Sequence, residues 1–218
     1  MTANARANIL SRLRATTTQG SFAVPDAPVI AGLALSLEER IDRLRRMLET
    51  MHAEVQVVSS SAWLGALKAR LRARGLNGLL YGAETPLGAA LEAAWEDDLP
   101  PLVPYSESVE QCREQLFHID AGITTTRGAI AENGALILWP SAAEPRLMSL
   151  TPGLHIAVLE AGMIFNTFAE AIDQQAWLQE GMPTNALLIS GPSKTADIEL
   201  TLTFGVHGPK ELVVFILT

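Results

Sequence analysis

Between Glu54 and Leu116, short apolar runs alternate with amphipathic ones, and few architectures accept that alternation. Glu54 to Val58, Gly78 to Tyr81 and Leu102-Val103 read as strands, each followed by a segment with helical spacing. Ser60 or Ser61 opens a helix to Arg74 with Leu64, Leu67 and Leu71 inward. Thr85 then Pro86 form an N-cap and first-position pair for a helix to about Asp97. Ser106 caps another helix, to Leu116. Apolar strands alternating with helices predict an α/β fold whose mostly parallel sheet is covered on both faces.

The rest of the chain attaches to that frame. Residues 4–15 read as a helix, 16–34 as a linker with two prolines, and 36–50 as a second helix. In the second helix Leu37, Ile41, Leu44, Leu48 and Met51 form an amphipathic stripe. These segments predict an N-terminal helical arm over 1–52, ahead of an α/β domain over 53–218. Ala129 to Glu132 and Ala135 to Trp139 read as a β-hairpin, with Asn133-Gly134 suited to a type I′ turn. Leu154 to Leu159 is a buried strand, and Asn166 opens a helix to Gln179. Asn185 to Ile189 reads as a strand, followed by the Gly191-Pro-Ser loop, a helix to Phe204 and a last strand from Glu211 to Leu217.

Composition narrows the functions. The 218 residues suffice for one substantial core, and a net charge of −8 argues against general nucleic-acid binding. The longest apolar runs fall well short of the roughly 20 residues a membrane span needs. Arginines 6, 12 and 14 interrupt the N-terminus where a signal peptide would be apolar, so a cytoplasmic location is expected. Cys112 is the single cysteine. It excludes an internal disulfide framework and a self-contained iron–sulfur cluster, so redox chemistry would need a bound cofactor or another subunit.

Familiar catalytic signatures are missing. No Gly-x-Gly-x-x-Gly opens a helix, Ser193-Lys194-Thr195 lacks the glycines of a P-loop, and no Gly-x-Ser-x-Gly elbow occurs. The four histidines have no zinc-site spacing. Candidates remain in three runs. From Gly191 to Glu199, backbone N–H groups with Ser193, Lys194 and Thr195 suit a carboxylate or phosphate, while Asp197 and Glu199 oppose an anion. The alternative is simple helix capping. In Gly122 to Gly128, Thr124, Thr125 and Thr126 suit a pocket lining or a β-rich turn. In Glu144 to Leu150, Arg146 suits a bidentate carboxylate clamp or a surface salt bridge. Glu132 is a candidate nucleophile or base if buried and a turn residue if exposed. His155, in an apolar strand, reads as a hydrogen-bonded core residue or a catalyst.

Several of these runs occur together and in order. Gly122-Ile-Thr, Ile130-Ala-Glu-Asn-Gly-Ala-Leu, Arg146-Leu-x-Ser-Leu-x-Pro, Leu154-His-Ile-Ala-Val and Ser190-Gly-Pro-Ser-Lys-Thr-Ala-Asp-Ile-Glu resemble the lactate-utilisation protein C family. Those proteins are the short single-domain members of the LUD-domain group. The closing Gly205-Val-His-Gly-Pro-Lys-Glu-Leu also fits. Many members carry Thr-Gly after the hairpin acid, where this chain has Asn133-Gly134. The resemblance implies a Rossmann-like sheet with helices on both sides, related to sugar-phosphate isomerases and CoA transferases. It implies a part in oxidising L-lactate to pyruvate beside two cysteine-rich partner proteins that carry the iron–sulfur clusters, with no cofactor in this chain. It offers Thr124, Thr126, Arg146, Ser149, Gly191, Ser193, Lys194, Thr195 and Asp197 as ligand-binding candidates, and Glu132 and His155 as catalytic ones. A small hydroxy acid is the expected ligand. The amphipathic N-terminal helices are candidate docking surfaces for a partner or a second copy. The other reading is a free-standing enzyme of CoA-transferase or isomerase type acting through Glu132.

Overall fold

The computed structural model describes residues 3–16, 34–105, 113–196, 202–205 and 207–218. The chain divides into two compact units, Met1–Gly32 and Leu33–Thr218. The first carries helix α1 (Ala3–Thr16), whose Ile9, Leu10 and Leu13 are exposed.

The second unit opens on α2 (Leu37–Thr50), and its start follows from a capping box. The Ser36 hydroxyl accepts from the Glu39 N–H at 3.3 Å, and the Ser36 N–H donates to the Glu39 carboxylate at 2.8 Å. Parallel strands and crossover helices follow: β1 (Glu54–Val58), α3 (Trp63–Arg72), β2 (Leu79–Gly82), α4 (Pro86–Ala94) and β3 (Leu102–Tyr105). Next come α5 (Arg113–His118), β4 (Ala121–Thr125), β5 (Gly128–Ile130), β6 (Ala135–Leu138) and β7 (Leu154–Glu160). The chain closes with β8 (Ile164–Phe165), α6 (Phe168–Gln174), α7 (Trp177–Glu180), β9 (Leu187–Ile189), β10 (Lys194–Ala196), β11 (Leu202–Phe204) and β12 (Glu211–Leu217). The main sheet runs β1-β12-β7-β4-β2-β3, with every neighbouring pair parallel. At its β3 edge Pro104 stands opposite Tyr81. A second sheet runs β8-β5-β6-β9.

Alternation along β12 shows how the layers form. Val213, Phe215 and Leu217 join Trp63, Leu67, Leu71, Leu87 and Leu91 of α3 and α4 on one face. Leu212, Val214 and Ile216 join α2 and the second sheet on the other, through Leu44, Leu48, Ala129, Leu136 and Leu138. Burial of side chains such as Leu44 and Leu48 contributes about 1.5–3 kcal/mol each. The mixed α/β architecture with a mostly parallel sheet between helices is the expected one. No helix among the described residues is long and apolar enough to cross a membrane.

The structure departs from the sequence reading at several points. The division into compact units falls between Gly32 and Leu33, which groups α2 with the second unit. Leu44 and Leu48 of the α2 stripe are buried against both sheets with Ile41 partly buried beside them, while Leu37 and Met51 at its ends are exposed, and Arg40 and Arg43 donate to the Ile164 and Ala131 carbonyls. The cap residue of α3 is Ala62, with no side-chain bond, so neither Ser60 nor Ser61 supplies the cap. Gly122 to Thr125 is a central strand rather than a surface turn. The β5–β6 connection runs from Ile130 to Ala135. Its only positive-φ residue is Gly134 (69°), which excludes a type I′ turn at Asn133-Gly134. The helix expected over 166–179 breaks at Ala176, which is left-handed at φ 52°. The expected helix after the Gly191 loop is an antiparallel pair, β10 with β11. Thr195, Thr203 and Phe204 are β-branched or aromatic and suit strands. Asp197 and residues 106–112 of the Ser106 helix lie outside the described residues.

Candidate functional site

Two hollows flank the middle of the main sheet. The first lies at the carboxyl end of β4, where open parallel sheets commonly bind ligands. Strand β4 ends in Thr124 and Thr125, and Thr126 and Arg127 follow. A loop beyond β6 brings Glu144 against them. Its carboxylate accepts from the Thr125 N–H at 3.1 and 3.2 Å and from the Thr125 hydroxyl at 2.5 Å. Glu144 is 9% exposed. Burial raises its pKa above the ordinary carboxylate range, against the opposing pull of the Thr125 hydrogen bonds. The loop reaches this depth because Gly82 ends β2. A Cβ there would sit 2.7 Å from the Ala143 carbonyl oxygen and 2.9 Å from Glu144 Cγ.

Two arginines line this end of the sheet. The Arg127 guanidinium carbon lies 4.9 Å from the centre of the Trp139 ring, a cation–π contact. Trp177 meets the same indole edge-on at 4.8 Å. Arg146 is exposed at the head of a 3-10 turn, Arg146–Ser149. Thr124, Glu144, Arg146 and Ser149 line a narrow slot of about 10 Å³. Thr126 and Arg127 line a wider cleft of about 320 Å³. Thr125 and Trp139 line both.

The second hollow is a cavity of about 250 Å³ near the amino ends of β7 and β12, walled by His155 and Leu212 from those strands. Ser149, Leu188, Gly191 and Ser193 line it, and so does His207. His155 is buried, and its Nε2 lies 2.9 Å from the Thr124 hydroxyl. Its Nδ1 has no hydrogen-bond partner among the described residues. Burial pushes its pKa down to about 4, so the imidazole is neutral at pH 7.

The predicted residues therefore separate. Thr124, Thr126, Arg146 and Ser149 gather at the carboxyl-end cleft; His155, Gly191 and Ser193 gather at the cavity, where Ser149 appears again. Glu132 joins neither lining. It is exposed in the β5–β6 loop, where its N–H donates to the Asn166 carbonyl at 3.0 Å and Arg43 donates to its own carbonyl. That placement meets the condition for a turn residue. Thr195 pairs with Thr203 in the β10–β11 ladder and lines neither hollow. Lys194 is next to it, its ammonium 3.7 Å from Met51 Sδ. Glu144, Trp139 and His207 were missed as site residues. Glu144 and His207 nevertheless stand inside motif runs that the sequence reading quoted, one beside Arg146 and the other in Gly205-Val-His-Gly.

The LUD domain family model matches residues 41–217. The chain belongs to the LUD domain family. An uncharacterised protein of Neisseria meningitidis serogroup B is 33% identical over 220 aligned positions, covering 97% of this LUD chain and 92% of its own. Lactate utilization protein C of Geobacillus thermodenitrificans is 26% identical over 203, covering 89% of this chain and 84% of its own. The protein of the same name from Macrococcus caseolyticus is 39% identical over 93 positions, which is 40% of its length. A DUF162 family crystal structure from Deinococcus radiodurans superposes with a TM-score of 0.60. It covers 84% of this LUD chain and 99% of its own at 24% identity, a likeness of fold.

Proposed function

We propose that this LUD protein is the non-redox component of a lactate-utilisation system and takes the hydroxy acid at the carboxyl-end cleft. Its likeness to proteins named lactate utilization protein C carries the reading. The cleft supports it chemically. Arg146 offers a planar fork to a carboxylate, the threonine hydroxyls sit beside it, and Glu144 can accept from an α-hydroxyl. Oxidising lactate to pyruvate releases an electron pair. Two protons leave with it, and because this chain, with Cys112 as its single cysteine, holds no cluster of its own, the electrons are taken up by the iron–sulfur partners and delivered to the final acceptor, a dye in the assay.

The test is reconstitution with the two iron–sulfur partners and measurement of lactate-dependent dye reduction. Omitting this chain is expected to abolish the rate, and Arg146→Gln to raise the apparent KM for lactate about tenfold or more, the loss of a charge-assisted bond. An unchanged rate without the chain would refute the role. An unchanged KM in Arg146→Gln would refute the placement of the substrate.

A further inference from the structure

The cavity near the amino ends of β7 and β12 is two-sided. Its floor is apolar: Leu150, Ile189, Pro209 and Leu212 line it, and the last two are buried. The buried polar residues of the lining already have partners. The Ser149 hydroxyl donates to the Arg146 carbonyl at 3.0 Å, and His155 Nε2 meets the Thr124 hydroxyl. The rim is polar and open. Ser190 and His207 are exposed there, and Ser193 is half-buried. Both hydroxyls can donate, and an imidazole keeps an N–H in either protonation state. Among the described residues of the lining none is Asp or Glu, so no carboxylate there opposes an anion. None is Arg or Lys, so the head group that suits this rim carries a single charge.

Backbone contacts fix this rim. The Ser193 N–H donates to the Pro209 carbonyl at 2.9 Å, and the Ser193 carbonyl accepts from the Gly205 N–H at 3.0 Å. A Cβ on Gly208 would sit 3.0 Å from Ser193 Cβ and 3.4 Å from its Oγ. The Ser193 hydroxyl therefore stands against Gly208, the residue after His207. At Gly191 a Cβ would sit 2.8 Å from Met51 Cβ, so the end of α2 packs directly on the wall. A volume of about 250 Å³ exceeds the roughly 150 Å³ of an apolar cavity that admits benzene, which leaves room for a body larger than one ring.

We propose that this cavity is a second binding site, separate from the hydroxy-acid cleft, for an apolar carboxylic acid. Its body lies on Leu150, Pro209 and Leu212, and its carboxylate stays at the rim, where Ser193 and His207 donate to it. Apolar walls with a few convergent polar groups are the usual make-up of a small-molecule pocket. Selectivity follows from the same division. Hydrogen bonds to a charged acceptor are stronger than those to a neutral one, and a carboxylate held at an open rim keeps part of its hydration. The site does not depend on lactate being the cleft's substrate.

The test uses the full chain with 1-naphthoate as the probe and 1-naphthamide as its neutral isostere, by calorimetry at pH 7.5. 1-Naphthoate is expected to bind at least about tenfold more tightly than the amide, the margin between charge-assisted and neutral hydrogen bonds. The Leu212 methyl resonances should shift on saturation with naphthoate. His207→Ala changes an exposed position and should weaken naphthoate binding about tenfold. Leu188→Asp, at a lining position 47% exposed, sets a like charge on the wall and should weaken it by about tenfold or more. Arg146→Gln should leave naphthoate binding unchanged, which separates this site from the carboxylate clamp of the cleft. Absence of naphthoate binding, equal or tighter naphthamide binding, unmoved Leu212 methyls, wild-type affinity in His207→Ala or Leu188→Asp, or loss of binding in Arg146→Gln would overturn the proposal.

Discussion

His155 makes stability depend on pH in a way that one substitution isolates. The imidazole is buried and its pKa falls from 6.5 to about 4. Below pH 6.5 the unfolded chain takes up a proton that the folded chain refuses. Stability is therefore lost as pH falls from 6.5 towards 4, and no further loss from this group follows once the folded form is protonated. Across the whole window the difference of 6.5 − 4 at ~1.36 kcal/mol per pH unit amounts to about 3 kcal/mol. About 2 kcal/mol of it has gone by pH 5. Phe at this position has no proton to take up. Urea unfolding of wild type and His155→Phe at intervals from pH 7.5 to 5 should show the wild type losing about 2 kcal/mol more than the variant. A constant offset between the two, from repacking the ring, does not affect the comparison. Parallel pH curves would refute the reasoning, as would an imidazole that titrates near 6.5 in the folded protein by ¹⁵N NMR.

Other perturbations test the frame around the two hollows. Leu48 is fully buried between α2 and the sheets, so Leu48→Ala should cost about 2–5 kcal/mol in urea unfolding. Ser36→Ala breaks the capping box and should cost about 0.5–2 kcal/mol by the same measurement. Gly82→Ala drives a methyl against the Ala143 carbonyl and should destabilise by about 1–3 kcal/mol, with shifts in the Glu144 and Thr125 amide resonances. For Glu144 the sign is opposite to that of His155. Its raised pKa means that stability falls as pH rises through the folded value, so Glu144→Gln should flatten that decline in unfolding midpoints taken above pH 4.5.

The elements read well from sequence are those where one periodicity meets one environment. Strand β12 is a continuous apolar run because both of its faces are covered, and α2 shows its stripe because Leu44 and Leu48 have to face a core. What stayed hidden depends on distant partners. The α2 stripe cannot say which surface it covers, so the helix reads as part of an arm. Ala176 adopts a left-handed conformation that alanine itself disfavours, at a break set by the packing of Trp177 against Trp139 and Phe168. The β10–β11 pair offers both capping residues and β-branched residues, and local pattern does not choose between them. The site was partly legible for the same reason. Motif order picked out Thr124, Arg146, His155 and Ser193, but only the fold assigns them to two different hollows. Glu144 looks like any loop acid until Gly82 lets its loop drop onto Thr125.

Pro104 in β3 bears on how copies of this protein can meet. An edge strand offers its free N–H and C=O groups to any further strand, and extension through such an edge is a common route to dimers and to aggregates. Proline has no N–H to offer, so a strand added beyond β3 would lose a ladder bond there. The far edge, β1, carries Glu54, which Arg70 holds in an ion pair at 2.8 Å. Growth of the main sheet from one molecule into the next is thus blocked by a missing donor on one side and hindered by a fixed charge pair on the other. At the main sheet, association of this chain with itself or with partners is left to side-chain surfaces.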